Sequence, residues 1–142
     1  MTRAVFICAA LSLLLVSCSG RPTYPEPPHT AAEVEIDTKA LKPEIPQFFT
    51  YHYRDKEISF FVISVRGRVL SFFDACGKCY PWKLGYRFDG GFIVCRKCNV
   101  RYAPAEIEKG IGSCFPVRVS GQLRGDKYII PVQELEKGAH MF

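Results

Sequence analysis

Phe48-Phe49-Thr50-Tyr51-His52-Tyr53-Arg54-Asp55-Lys56-Glu57-Ile58-Ser59-Phe60-Phe61-Val62-Ile63-Ser64-Val65 is the stretch that decides the fold. Phe48 to Tyr53 and Ile58 to Val65 are rich in β-branched and aromatic residues, and Arg54-Asp55-Lys56 between them reads as a hairpin turn. Working outward, Gly67 turns the chain into another such run, Val69 to Phe73. Tyr86 to Phe88 and Phe92 to Val94 flank Asp89-Gly90-Gly91, the strongest turn signal in the sequence. Val117 to Val119 and Tyr128 to Val132 flank a further glycine-containing turn, so the adhesion-like triplet Arg124-Gly125-Asp126 reads as a hairpin bend. Gln133 to Lys137 looks helical, with a further turn expected at Ala105 to Glu108. The expected fold is a predominantly β, small single domain, a sandwich or open barrel with metal-bearing loops and a short C-terminal helix.

Upstream the composition changes. One positive charge at Arg3, an apolar run from Ala4 to Val16 and Ser17-Cys18 form the layout of a secretory signal. The run is shorter than the roughly 20 apolar residues needed to span a bilayer. Leu15-Val16-Ser17-Cys18 resembles the bacterial lipobox, which makes residues 1–17 a lipoprotein signal peptide and Cys18 the lipidated N-terminus of the mature chain. Residues 18–46 carry that lipidated cysteine and Pro22, Pro25, Pro27, Pro28, Pro43 and Pro46. Such a stretch is expected to act as an extended linker, reaching roughly 80 Å at about 3.1 Å per residue. Residues 47–142 are the folded domain, placed outside the cytoplasm on the periplasmic side or the cell surface and held to the membrane by lipid.

The whole chain has a formal charge of +5. Removing residues 1–17 removes Arg3 and no acid, leaving +4. The cations are scattered and no aromatic–basic motif interrupts them, so nucleic acid is not an expected partner. No Ser/His/Asp set or carboxylate pair suggests an enzyme in the turnover sense, and His29, His52 and His140 look uninvolved.

The chemistry lies in Cys76-Gly77-Lys78-Cys79 and, after fifteen residues, Cys95-Arg96-Lys97-Cys98. Cysteines two apart on a tight turn aim both thiolates at one ion while backbone N–H groups offset their charge. Two such turns joined by the Tyr86–Val94 hairpin complete a four-sulfur site at metal-ligand spacing. Zn2+, a single iron and an iron–sulfur cluster all accept four thiolates. Structural disulfides and a dithiol redox centre are competing readings for an exported chain. Disulfides would leave Cys114 over, and Tyr80-Pro81 is not the helix start that a thioredoxin-like pair needs. Cys114, in the turn Ile111 to Pro116, is a candidate fifth participant, while Tyr80 and Trp82 are expected as core or as a cover over the site.

At these residues the sequence resembles the membrane iron–sulfur containing, FtrD-like domain family. The resemblance is carried by Phe73-Asp74-Ala75-Cys76-Gly77-Lys78-Cys79-Tyr80-Pro81, Gly85-Tyr86, Val94-Cys95-Arg96-Lys97-Cys98 and Gly112-Ser113-Cys114-Phe115-Pro116. It implies an iron–sulfur cluster or iron on Cys76, Cys79, Cys95 and Cys98, with Zn2+ the alternative that the spacing itself permits. It also implies electron transfer beside an iron-transport or respiratory membrane protein. Two departures stand out: the sequence shows no multi-span segment, and Asn99 rather than glycine follows Cys98. Asn99 tolerates the left-handed conformation such a turn needs. Clusters are generally built in the cytoplasm and an unfolded secretory chain cannot carry one, so a cluster here would be installed after export.

Overall fold

The computed structural model describes residues 20–142, so the signal peptide and Cys18 lie outside the described residues. The described chain is mostly β, in three antiparallel sheets. The central sheet has the order β2-β3-β4-β8, made by β2 (Gln47–Tyr53), β3 (Lys56–Val65), β4 (Arg68–Cys76) and β8 (Pro116–Val119). On one side lies β1-β10-β9, from β1 (Glu33–Asp37), β9 (Gln122–Arg124) and β10 (Lys127–Pro131). On the other lies β5-β6-β7, from β5 (Tyr86–Asp89), β6 (Phe92–Cys95) and β7 (Arg101–Tyr102). A short helix α1 (Val132–Glu136) follows β10. Among the described residues no sheet closes into a barrel.

The quoted hairpin sits at the centre because β3 is buried on both faces. Ile58, Phe60 and Val62 meet Val34, Ile36, Tyr128, Ile130 and Leu135 in one core. Phe61, Ile63 and Val65 meet Tyr86, Ile93, Tyr102 and Ile107 in the other. The run Phe60 to Ile63 is fully buried. Each such side chain contributes about 1.5–3 kcal/mol relative to exposure. An unbroken apolar run, rather than an alternating one, is the sequence mark of this two-sided burial.

The β2–β3 pairing runs from Gln47↔Val62 to Tyr53↔Lys56, so Arg54 and Asp55 form the bend as the sequence indicates. Asp89 pairs with Phe92, leaving Gly90 and Gly91 as a two-residue loop. Both adopt positive φ, 57° and 81°, which the type I′ geometry requires. The β4–β8 register shifts between Phe72 and Cys76. Such an irregularity re-aims the strand end, here at the thiol-bearing face.

The extended-linker expectation for the segment before residue 47 differs from the structure. β1 pairs along its length with β10, from Glu33↔Pro131 to Asp37↔Lys127. Val34 and Ile36 point inward at 0% and 3% exposure, so two apolar residues at period two suffice once a strand supplies the ladder. The prolines cannot donate but do accept: Thr50 N–H bonds Pro25 O at 3.1 Å and Glu35 N–H bonds Pro28 O at 2.9 Å. A single helical turn follows β1 at Thr38–Ala40, with the Asp37 carboxylate accepting from Lys39 N–H. Among the described residues no helix is long and apolar enough to cross a membrane.

Candidate metal centre

Three turns deliver sulfur to one place. The first begins where β4 ends at Cys76 and runs through Cys79 into a single helical turn, Tyr80–Trp82. Gly77 lies flat against the Phe115 ring: a Cβ there would sit 2.4 Å from Phe115 Cζ. Its N–H donates to Phe115 O at 2.9 Å, fastening the first turn to the segment that carries Cys114. The second turn begins where β6 ends at Cys95. Asn99 N–H donates to Cys95 O at 2.9 Å, and Cys95 N–H to Val100 O at 3.0 Å. Asn99 has φ 60°, the left-handed conformation that its position without glycine demands. In the third turn Ile111 and Cys114 exchange both backbone hydrogen bonds, at 2.8 and 3.0 Å.

The sulfurs of Cys76, Cys79 and Cys95 lie within 4.8 Å of one another, and so do those of Cys79, Cys98 and Cys114. Cys79 belongs to both groups. Cys98 Sγ and Cys114 Sγ are 3.6 Å apart. All five are free thiols. Cys98 is exposed and the other four are buried. The four cysteines read from spacing are therefore brought together, and Cys114 joins them.

The environment tunes these thiols unequally. Burial works against ionising Cys76, but N–H groups of Cys79, Lys78 and Phe115 and the Tyr86 hydroxyl together hold it below the usual thiol range. Cys98 also lies low despite burial, through the Val100 N–H and its thiol neighbours. Burial pushes Cys79 far up, reinforced by the charge of Cys95 and contact with Cys98. Cys114 is pushed up to about 11 by burial and then by Cys98. Thiols this close ionise together only when a cation shares their charge. The donor set thus suits a thiophilic metal or a cluster.

Sequence reasoning missed three residues here. Tyr86 and Tyr102 lie beneath the sulfurs at 0% and 2% exposure, their rings edge-to-face with centroids 6.1 Å apart. Neither hydroxyl has a partner of ordinary hydrogen-bond geometry among the described residues. Burial and then the charge of Cys76 keep both phenols protonated far above their ordinary range, so both are donors beside sulfur. Orphaned donors of this kind fit an anionic sulfur centre, whose sulfurs accept such bonds. The third residue is Asp74, fully buried in β4. It accepts from Tyr86 N–H at 2.5 Å and faces Arg21 Nε at 3.6 Å. Burial pushes it up to about 6 against the pull of Arg21. Gly85, at φ 66°, admits the carboxylate where a Cβ would lie 2.4 Å from it. An acid inside an apolar strand was the signal for Asp74 and the Gly85-Tyr86 step the signal for Tyr86; nothing local marked Tyr102.

Trp82 does not cover the site. It is 53% exposed, with Lys97 Nζ 4.6 Å above its ring. Tyr80 packs on the opposite, apolar core and meets His140 edge-on. Phe115, held against Gly77, lies beside the first turn instead. Among the described residues no histidine joins the sulfur groups.

No curated protein matches the chain. A family model described as membrane iron-sulfur containing protein FtrD-like matches residues 41–142, which takes in both cysteine pairs, Cys114, Asp74 and the two buried tyrosines. The chain therefore belongs to the FtrD-like family of membrane iron-sulfur containing proteins.

Proposed function

We propose that the chain is an exported lipoprotein that holds an iron–sulfur cluster or iron on its five thiols and passes electrons to or from a membrane partner in iron uptake or respiration. The observation that carries the reading is the pair of three-thiol groups sharing Cys79. A structural zinc ion needs four thiolates and no more. A fifth sulfur at 3.6 Å from Cys98 suits a larger or redox-variable centre. When bound, the centre would supply one-electron chemistry; the chain's own residues set its surroundings. Tyr86 and Tyr102 offer hydrogen bonds that favour the more electron-rich state. The double burial of the core excludes water from Cys76 and Cys95. Cys98, the exposed thiol, would be the ligand nearest a partner through which electrons could pass. The lipid on Cys18 supplies the anchor and fixes the extracytoplasmic side.

The test is to purify the protein anaerobically after export and to quantify metal and acid-labile sulfide beside a visible spectrum. The expected sample contains iron and sulfide and bleaches on reduction. One zinc and no colour would replace electron transfer with a structural module. Metal-free protein with paired disulfides would remove the metal altogether.

A further inference from the structure

The described chain is fastened to the domain within a few residues of Cys18. We infer that the N-terminal strap clamps the domain down against the bilayer, so that the thiol centre works close to the lipid surface and not at the end of a long tether. The inference rests on acylation of Cys18 as proposed above.

Arg21 follows Cys18 by three Cα–Cα steps, with Ser19 and Gly20 between them, a reach of about 11 Å at full extension. Arg21 is pinned. Its guanidinium lies 4.4 Å from the Phe142 ring centroid, and its Nε faces the buried Asp74 at 3.6 Å. Tyr24 follows, its ring stacked on Phe48 with centroids 4.9 Å apart and its N–H donating to Thr50 Oγ1 at 3.0 Å. Thr50 N–H returns the bond to Pro25 O. From Pro28 onward the chain is tied to β1 and so to β10. Cys76 lies two strand steps, about 7 Å, beyond Asp74. The path from lipid attachment to the first sulfur ligand is therefore roughly 30 Å. An extended linker over the same prolines would allow roughly 80 Å.

A second feature lies at the same corner. Lys83 lines the cleft that Arg21 and Phe142 form, and the preceding residue is the exposed Trp82. Arg96 reaches toward Tyr24 and Asp74, and its neighbour Lys97 covers the Trp82 ring. An exposed tryptophan flanked by lysines is the side-chain type that settles at a lipid–water interface. Asp55 and Glu57 share the cleft, so its charge is mixed and the tether rather than net attraction sets the distance.

Trp82 is the single tryptophan of the chain, so it reports distance without labelling. The full lipidated protein is reconstituted into phosphatidylcholine vesicles bearing dansyl-phosphatidylethanolamine, and energy transfer from Trp82 is measured. The comparison is a variant with about twenty Gly/Ser residues inserted between Gly20 and Arg21, enough to add roughly 25 Å of mean reach. A several-fold fall in transfer on insertion is expected; equal transfer in both overturns the clamp. Amide exchange read in the same protein must show slow Tyr24, Glu35 and Thr50, and free exchange of all three also overturns it. An unacylated Cys18 by peptide mass would instead sink the anchor reading, and this inference with it.

Discussion

The two faces of the central sheet are built from the same strands and closed by different means. Toward β1 and β10 the core is Phe49, Phe60, Val62, Phe73, Ile130 and Leu135, apolar throughout apart from a paired cluster at Ser71. Toward β5, β6 and β7, Phe61, Ile63 and Phe72 meet Cys76, Cys79, Cys95, Cys114 and two tyrosines whose hydroxyls have no partner of ordinary hydrogen-bond geometry among the described residues. The first face closes by burying area; the second leaves polar sulfur and phenol groups whose satisfaction falls to what the thiols bind. Small domains often need such a staple, and here it occupies one face alone.

The largest break in this comparison comes from Cys79, the sulfur common to both groups. Cys79→Ser is expected to lower bound metal by at least about tenfold, in line with a lost shared ligand, while far-UV circular dichroism keeps its β signature. Elemental analysis of the purified variant checks it; undiminished metal would show that the two groups are independent. On the apolar face, Phe60→Ala is expected to cost about 3–5 kcal/mol in denaturant unfolding, with native metal stoichiometry retained. Loss of metal there would mean that the faces are coupled through β3.

The next effect is a pH dependence from Asp74, whose carboxyl stands at about 6 against an ordinary 3.8. Well below 3.8 the carboxyl is protonated in the folded and unfolded chains alike. Between that point and 6 the folded state alone keeps the proton, so stability falls as pH rises and then levels off. The drop is about 3 kcal/mol. Asp74→Asn should flatten this slope, and an unchanged slope in urea titrations at pH 4 and 6.5 would assign it elsewhere. The smallest contrast compares two buried hydroxyls. Ser71 Oγ donates to Val119 O at 2.8 Å and meets Tyr128 Oη at 3.0 Å. Ser71→Ala should therefore cost about 1–3 kcal/mol. Tyr102→Phe deletes a hydroxyl with no partner among the described residues and should cost less than about 0.5 kcal/mol in metal-free protein, yet weaken metal retention against a chelator.

The local signals of the sequence reached far into this architecture. The β2–β3 and β5–β6 hairpins follow from their turn residues and flanking apolar runs, and the helix expected at Gln133 to Lys137 lies one residue earlier, at Val132–Glu136. β1 was hidden because its partner, β10, is remote in sequence and its own apolar content is two residues among prolines. β4 runs on to Cys76 past the expected Phe73, since Asp74 interrupts the apolar pattern while being buried by a distant arginine. The two CxxC pairs read from spacing are the ones whose thiols the fold brings together. The depth of Tyr86 and Tyr102, and the exposure of Trp82, depend on which face each strand end presents, and no window along the chain carries that information.

The most direct measurement of the central claim is a native mass spectrum of the anaerobically purified exported protein, followed by acid denaturation and cysteine alkylation. The expected spectrum shows an adduct of iron and inorganic sulfide, released by acid, after which Cys76, Cys79, Cys95, Cys98 and Cys114 all react with the alkylating agent. A single zinc adduct, or a bare chain lighter by two hydrogens for each disulfide with those cysteines unreactive, would contradict it.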